Sequence, residues 1–367
     1  MPIYMDVHIA PGVKAKDVAE AHRKDLLCQG QYGCKCMTYW IDEERETIFC
    51  LIDAPNKDAV KEMHSKAHGL IPNKVIEVSS SIVESFLGRI YDPEDAKSAQ
   101  DGVKIFADPS FRILLVTKIT DPVLLQHQIG IEKANELLNR HNETIRKNLL
   151  QYDGSEVEHA GEGFIISFTS AAKAAACAFA IQKDLPSGDA AILGFKISIN
   201  GGEPIEKSNI LFGDTIQFAN YLCTITNHSQ IALASAIKEL ISKDNLQSKG
   251  NNFLSLSPQD ESLLRLLFKK LEENWQNPEF DMQEYCQEMA MSQSQLYRKT
   301  IALTGISCNV LLKDFRLERA KELLKKNGYS ISQVTFESGF TSPSYFTKCF
   351  KKKYGLLPMQ YLEIRES

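Results

Sequence analysis

Two short helix-turn-helix patterns recur in the last third of the chain and constrain its fold more than any other feature. In the first, apolar residues at helical spacing over 282–289 precede Ser292, which favours the start of a second helix that Gly305 would end. After a long amphipathic helix, VLLKDFRLERAKELLKKNG, the pattern repeats with Gly339 at its turn. The sequence therefore predicts an all-α C-terminal domain, residues 258–367, with two helix-turn-helix units joined by a linker helix.

Positive charge is concentrated in this segment. Residues 289–359 contain twelve Lys and Arg against four Asp and Glu, a net charge of +8. Because the whole chain carries −5, the remainder carries −13. Such asymmetry is typical of a polyanion-binding module attached to an acidic body, although solvated helix faces would give the same count.

The run GFTSPSYFTKCFKKKYGLLPMQYL resembles the signature of AraC/XylS-type transcription regulators, and the resemblance covers about 100 residues. It implies binding to double-stranded DNA, with one helix of each unit in a major groove. RNA polymerase would be a further partner if the chain activates transcription. The base-reading side chains that it implies are Gln293, Ser294, Gln295, Arg298, Ser342, Ser344, Tyr345, Thr347 and Lys348. We expect Lys351, Lys352 and Lys353 to contact phosphates.

The first 90 residues predict a separate α+β domain. Four β-like runs are interrupted by two amphipathic helices in the order βαββαβ, which is the ferredoxin-like plan. Along the first strand Met5 and Val7 point to one face, whereas Asp6 and His8 point to the other. The predicted strands cover 3–9, 35–41, 47–52 and 74–78, and the predicted helices cover 17–27 and 57–68.

Histidines in this domain suggest a metal site. His64 and His68 are four residues apart on the second helix, so their imidazoles share a face and can bind one ion. In the ferredoxin-like plan the end of the first strand, with His8, lies near that end of the helix. Imidazole ligands suit nickel, zinc or copper better than magnesium. The candidate ligands are Asp6, His8, His22, Cys36, His64 and His68.

Packing competes with metal binding at some of these positions. His22 shares a helical stripe with Val18 and Leu26, so its pattern fits packing as well as ligation. For the neighbouring Cys50 the pattern favours packing. Any lone histidine most often belongs to a surface or a core.

The segments MDVH, EAHRKDL, TYWIDEERETIFCLIDAPNKDAV and MHSKAHGLIPNKVIEV resemble a small bacterial family of nickel-binding ferredoxin-like proteins over residues 1–90. The resemblance implies a bound transition metal at or near a dimer contact. We expect nickel, with zinc or copper as alternatives. It does not assign individual histidines to the ion.

Beyond a polar linker, residues 91–107, the chain predicts an α/β middle domain over 108–257. A strand in FRILLVTKIT precedes a helix over 124–150, a hairpin, a helix over 171–185, a strand, a helix over 215–226 and a last strand. The segments EHAGEGFIISF, KISINGGEPI and LFGDTIQFANYL resemble class III nucleotidyl cyclases.

The catalytic pattern of that family is not matched. The resemblance places the two metal aspartates at Lys118 and Glu162, the adenine-selecting lysine and its aspartate partner at Glu158 and Ile210, and the asparagine and arginine that stabilise the transition state at Gln217 and Tyr221. Loss of one metal carboxylate alone costs on the order of 10² to 10³ in rate. We therefore expect no enzyme, but a dimerisation or relay module.

The remaining features agree with a cytoplasmic regulator that forms a homodimer. The chain has no apolar run of the ~20 residues that a membrane helix needs, and no secretory signal. Its nine cysteines lack a disulfide spacing, so we expect reduced thiols. We predict a sequence-specific transcription regulator that senses a transition metal. Three alternatives stay open: an active cyclase, a regulator whose nucleotide or small-molecule effector binds the middle domain, and a metal-storage module.

Overall fold

The computed structural model describes residues 1–94, 96–98, 104–227, 230–241, 253–326 and 328–366. Its N-terminal unit is a four-stranded antiparallel sheet in the order β2-β3-β1-β4, with two helices against one face. This is the predicted ferredoxin-like arrangement. The elements are β1 Ile3–Ile9, α1 Ala15–Cys28, β2 Lys35–Asp42, β3 Thr47–Asp53, α2 Lys57–Ala67, β4 Lys74–Val78 and α3 Ser80–Leu87.

The two faces of this sheet have different partners. The alternation along β1 is as predicted, with Tyr4 packed towards the helices and Met5 on the opposite face. That opposite face packs on α3 and on Leu114 and Phe212 of the middle unit. The sheet is therefore covered on both sides by the chain itself, and the N-terminal and middle units share an apolar core.

The connector between these units packs on the N-terminal unit. A short antiparallel pair is formed by β5 Lys97–Ser98 and β6 Lys104–Ile105. Beyond it, Phe106 stacks on Tyr39 with ring centroids 4.2 Å apart. Residues 95 and 99–103 of the predicted linker lie outside the described residues.

The middle unit contains a six-stranded mixed sheet in the order β12-β11-β10-β7-β9-β8. β7 pairs antiparallel with β9 and β10, while β10, β11 and β12 run parallel. Its strands are β7 Arg112–Lys118, β8 Ser155–Ala160, β9 Gly163–Phe168, β10 Lys196–Gly202, β11 Ile231–Leu233 and β12 Phe253–Ser255. Its helices are α4 Pro122–Ile129, α5 Ile131–Gln151, α6 Ala171–Asp184, α7 Ser187–Leu193, α8 Gly213–Ile225 and α9 Ser235–Leu240.

The single helix predicted over 124–150 is wrong. Gly130 adopts a φ of +86° and divides the segment into α4 and α5, because this backbone conformation cannot continue a right-handed helix. The sequence also did not predict α3, β5, β6, α7, α9 or β12. The end of the middle unit is described only in part, since residues 242–252 lie outside the described residues.

In its described residues the C-terminal unit is all α-helical, and it contains both predicted helix-turn-helix units. The first unit is formed by α11 and α12, the second by α14 and α15, and α13 is the helix that links them. The predicted fold class is thereby confirmed. The elements are α10 Pro258–Asn274, α11 Met282–Glu288, α12 Gln293–Thr304, α13 Cys308–Leu324, α14 Ile331–Glu337, α15 Pro343–Tyr354 and α16 Pro358–Glu366.

Helix α10 joins the C-terminal unit to the middle unit. Its buried residues Leu264, Leu267 and Phe268 belong to one continuous core that contains Phe218 of α8 and Tyr285 of α11. Full burial of each such side chain contributes about 1.5 to 3 kcal/mol. The first helix-turn-helix unit is thus packed directly on the middle unit.

Among the helices of the described residues, none is both long and apolar enough to span a bilayer.

Candidate metal centre and DNA-reading surface

Two local periodicities bring the N-terminal histidines together. Asn56 caps α2 by accepting a hydrogen bond from the Ala59 backbone, and the helix then places His64 and His68 one turn apart. The alternation along β1 turns Asp6 and His8 towards this helix. The ring centroids of His8 and His64 are 4.9 Å apart, and those of His64 and His68 are 5.2 Å apart.

The potential ligand atoms form two groups that share His64. One atom each from Asp6, His8, Cys50 and His64 lies within 4.8 Å of the others, and the same holds for Asp25, His64 and His68. His64 Nε2 lies 2.9 Å from Asp6 Oδ2, and His64 Nδ1 lies 3.2 Å from Asp25 Oδ1. Strand β1 and helices α1 and α2 therefore meet at one imidazole.

The electrostatics of this site favour positive charge. Burial alone would lower the pKa of His64, but the carboxylates of Asp6 and Asp25 raise it to about 10. Burial would likewise raise the pKa of Asp6, yet His64 and His8 hold it well below its usual range. Burial and the nearby carboxylates raise the pKa of the Cys50 thiol well above its usual value. The two carboxylates thus hold an imidazolium, and they could hold a metal cation instead.

The donor set fits a transition metal ion. His8 Nδ1 is buried without a hydrogen-bond partner among the described residues, so this nitrogen is available to a ligand. The site also encloses a cavity of about 20 Å³, lined by His8, Asp25, Cys50 and His64 among others, which is large enough for one water-sized occupant. Imidazole nitrogens with carboxylates and a thiol are typical donors for nickel, zinc or copper.

Two predicted ligands lie outside both groups. His22 Nε2 lies 3.5 Å from Asp92 Oδ2, and its ring is 5.1 Å from that of Tyr39 at the edge of the same cavity. The Sγ atom of Cys36 lies 3.6 Å from Sδ of Met63. Neither side chain shares the convergence of ligand atoms at His64.

Asp25 was missed in the sequence because the helical stripe was placed one residue too late. Leu26, predicted to share the buried stripe of Val18 and His22, is 42% exposed, whereas Asp25 is buried. The spacing 18, 22, 25 is equally helical and contained the signal. A charged residue in an apolar stripe is a ligand candidate, because it is rarely buried without a partner.

The second helix of each helix-turn-helix unit, α12 or α15, is the one predicted to contact DNA, and we call these two the reader helices. They expose most of the predicted DNA contacts. The exposed residues are Gln293, Ser294, Gln295, Arg298, Ser344, Tyr345, Lys348, Lys351 and Lys352, whereas Ser342 and Thr347 are half-buried. On the opposite face of α15, Phe346, Phe350 and Tyr354 are buried in the core of the second unit, as predicted.

Three of the predicted contacts already have partners within the unit. Gln295 completes a capping box by accepting from the backbone N–H of Ser292. Ser342 caps α15 by accepting from the backbone N–H of Tyr345. Lys353 donates to the Asp314 carbonyl oxygen at 3.1 Å. These three side chains would have to exchange a partner before they could contact DNA.

The six positions that the sequence resemblance assigns to cyclase catalytic residues lie in different surroundings. Ile210 is 69% exposed, and Glu158 is an exposed residue of β8. Three others face the C-terminal unit: Glu162 pairs with Lys321 at 3.3 Å, Gln217 donates to Glu272 at 2.6 Å, and Tyr221 stacks on Phe268 at 4.2 Å. The sixth, Lys118, ends β7.

Comparison with known proteins finds matches in two separate parts of the chain. Residues 285–364 match the family model of a helix-turn-helix domain, and residues 4–78 match that of the nickel responsive protein SCO4226-like. Over 147 residues the chain is 29% identical to the HTH-type transcriptional regulator GadX of Escherichia coli. The chain joins an SCO4226-like domain to an AraC-type helix-turn-helix domain.

The similarities are confined to parts of the proteins compared. The GadX match covers 36% of this chain and 53% of that protein. Histidine kinase P4 of Formosa agariphila is 41% identical over 108 residues, which are 29% of this chain and 8% of P4. The chain thus spans about half of GadX and less than a tenth of P4.

Two solved structures are similar to parts of the chain. The structure of SCO4226 from Streptomyces coelicolor is 30% identical, covers 21% of this chain and 94% of its own, and has a TM-score of 0.20. The guanylyl cyclase Cya2 is 18% identical, covers 36% of this chain and 79% of its own, and has a TM-score of 0.31.

Proposed function

We propose that this chain is a sequence-specific DNA-binding transcription regulator of the AraC type that responds to a transition metal ion. Nickel is the first candidate for that ion. The observation that carries the proposal is the presence in one chain of a buried histidine-carboxylate cluster and of two exposed, basic reader helices. The proposed partner is double-stranded DNA, with RNA polymerase as a further partner if the chain activates transcription.

The metal would be held by the side chains that meet at His64. His8, His64 and His68 would supply imidazole nitrogens, Asp6 and Asp25 carboxylate oxygens, and Cys50 its sulfur. Once bound, the ion supplies a fixed positive charge that ties β1, α1 and α2 together. His22 and Cys36 lie beside this centre, and we propose them as supporting residues.

Contacts between the units support a coupling of this site to DNA binding. Lys74, at the start of β4, donates to the carbonyl oxygens of Lys207 and Ser208 at 2.7 and 2.5 Å, in the loop that precedes α8. Helix α8 packs on α10 of the C-terminal unit. We propose that metal binds better to one arrangement of these units and shifts the population towards it.

The middle unit would serve as a relay and dimerisation module, not as a cyclase. A lysine at position 118, where an active enzyme needs a metal carboxylate, opposes phosphoryl transfer. We propose four segments: 1–90 for metal binding, 91–107 as linker, 108–257 as relay and 258–367 as DNA reader. A homodimer would address paired DNA sites.

The experiment that tests this function has two arms. Metal analysis of protein purified without an affinity tag should find about one transition metal ion per chain. Selection of duplexes from genomic fragments should yield a sequence whose affinity for the chain changes with nickel. Absence of any selected sequence would overturn the DNA-binding proposal, and unchanged affinity with and without nickel would overturn the sensing proposal.

A further inference from the structure

A network of ion pairs lies between the C-terminal unit and the middle unit. It is separate from the candidate metal centre. Lys321 of α13 is 4% exposed, and its Nζ lies 3.4 Å from Asp121 Oδ2 and 3.3 Å from Glu162 Oε1. One turn later, Lys325 Nζ lies 2.8 Å from Asp121 Oδ2 and also pairs with Glu162. Tyr361 of α16 donates its hydroxyl to Asp121 Oδ2 at 2.9 Å.

The network is charged and mostly shielded from solvent. The side chain of Asp121 is 1% exposed. Burial would raise the pKa of this carboxyl, but a hydrogen bond with Glu162 and the ammonium groups of Lys321 and Lys325 hold it well below its usual range. For Lys321, burial opposes the charged form, yet Glu318, Glu162 and Asp121 raise its pKa. A buried ionic network contributes little net stability, and loss of one partner leaves a buried charge uncompensated, so we take its role here to be fixing how the two surfaces meet.

Apolar contacts surround this network. Leu124, on the first turn of α4, is 5% exposed and belongs to the core of the second helix-turn-helix unit, together with Leu317, Leu324 and Phe346. Asp121 also caps α4 by accepting from the Val123 backbone N–H at 2.9 Å. One short segment of the middle unit thus provides both the carboxylate and the apolar residue that contact α13.

Helix α10, which shares a core with the first helix-turn-helix unit, contacts the middle unit at a different place. Glu272 of α10 accepts from Gln217 of α8 at 2.6 Å and from Arg319 of α13 at 3.1 Å. Phe268 of α10 stacks on Tyr221 of α8, with ring centroids 4.2 Å apart. The middle unit therefore contacts both helix-turn-helix units, each through separate residues, while both reader helices stay exposed.

We infer that the edge formed by Asp121, Leu124 and Glu162, here called the docking edge, binds α13 and α16 of the same chain and thereby fixes the second reader helix relative to the first. The inference rests on the proposed DNA binding. It adds that a position corresponding to a cyclase metal ligand, Glu162, now presents the DNA reader. Fixing the two readers in advance removes an ordering cost that would otherwise weaken binding to a site contacted by both.

The test uses the full chain and variants of equal charge. Lys325→Glu places a carboxylate against Asp121 and Glu162, whereas Lys326→Glu makes the same charge change at an exposed neighbouring position. Both alter long-range attraction to DNA equally, so a difference between them reports docking. The exchange Lys325→Glu with Glu162→Lys restores one pair of opposite charges, and both side chains are about a third exposed, at 35% and 34%.

Affinity is measured by fluorescence anisotropy on the duplex selected with the unaltered chain. We expect Lys325→Glu to bind about tenfold more weakly than Lys326→Glu. The double exchange should recover only part of that loss, because the carboxylate at position 325 still faces Asp121 and the ammonium at position 162 faces Lys321. Equal affinities of the two single variants would overturn the inference. Thermal unfolding and circular dichroism establish that each variant is folded.

Hydrogen exchange supplies a readout that does not need DNA. Undocking should accelerate amide exchange in residues 121–129 and 358–366 of Lys325→Glu, while 258–304 keeps its protection. If no duplex can be selected, DNA binding fails as a function, and this measurement still decides whether the docking edge holds α13. Unchanged exchange in both segments would then show that it does not.

Discussion

His64 donates from Nε2 to the carboxylate of Asp6 at 2.9 Å, and this bond joins helix α2 to strand β1 at the centre of the N-terminal unit. His64 is 1% exposed and Asp6 is fully buried. Burying two polar side chains on different elements is costly unless they are paired, and the hydrogen bond between His64 and Asp6 offsets that cost.

Asp6→Asn should weaken nickel binding about 10- to 100-fold, because the variant removes a negative charge next to His64 and His8. The measurement is isothermal titration with nickel on protein stripped of metal. Asp58→Asn is the matched control, since Asp58 is an exposed residue at the start of α2 in the same unit. Equal nickel affinities of the two variants would remove Asp6 from the metal centre.

The exposed residues of the reader helices should fall into two groups, those that contact bases and those that contact phosphates. Arg298→Ala should cost about 1 to 3 kcal/mol on the selected duplex and relax the preference at one base pair, because arginine pairs with guanine in the major groove. Binding to a panel of single-base variants of the duplex checks this. A uniform loss over the whole panel would instead assign Arg298 to a phosphate.

Lys352→Ala should weaken binding to every duplex by a similar factor. The slope of log affinity against log salt should fall in magnitude by about 1, because one phosphate contact and its released counterion are lost. Affinities at several salt concentrations give the slope. A selective loss on one base variant would contradict this role for Lys352.

The N-terminal elements could be predicted because their signals are local. Alternation along β1 and the four-residue spacing of His64 and His68 each lie within one element, and both were found in the structure. Contacts between distant segments leave no such pattern. Asp25 meets His64 only because α1 packs beside α2, and the hydrogen bond from Tyr361 to Asp121 spans 240 residues of sequence.

The error in the middle unit, where one helix was predicted and the structure has α4 and α5, has a different cause. Residues 124–150 are apolar at helical spacing almost throughout, and one glycine is tolerated in many helices at a cost of about 1 kcal/mol. In the structure Gly130 adopts a positive φ, and Leu124 of the separate helix α4 is buried in the core of the second helix-turn-helix unit. That contact joins distant segments of the chain, so the local sequence pattern does not contain it.

Gly339, at the turn of the second helix-turn-helix unit, should not tolerate a side chain. Its φ is +76°, and a Cβ atom would lie 2.2 Å from the carbonyl oxygen of Trp275. Gly305 ends α12 with a similar φ of +73°, but no atom lies within 4 Å of its Cβ position. Gly305→Ala should therefore cost about 1 to 2 kcal/mol from backbone strain alone, and Gly339→Ala at least twice as much. Urea unfolding of both variants makes the comparison, and equal midpoints would contradict it.

His141, in the core of the middle unit, should make the stability of the chain depend on pH. It is 1% exposed, and burial lowers its pKa from 6.5 to about 4. Between those values the unfolded chain binds a proton that the folded chain does not. Its contribution is therefore complete above pH 6.5 and is lost as the pH falls towards 4.

The change amounts to up to about 3 kcal/mol, at 1.36 kcal/mol for each unit of pKa difference. His141→Gln removes the titration, so its urea midpoint should fall less steeply over this range than that of the unaltered chain. His127→Gln, at an exposed position of α4, is the control and should follow the unaltered chain. A slope in His141→Gln equal to that of His127→Gln would mean that the folded chain admits a proton at His141, since only a neutral buried imidazole produces the predicted loss.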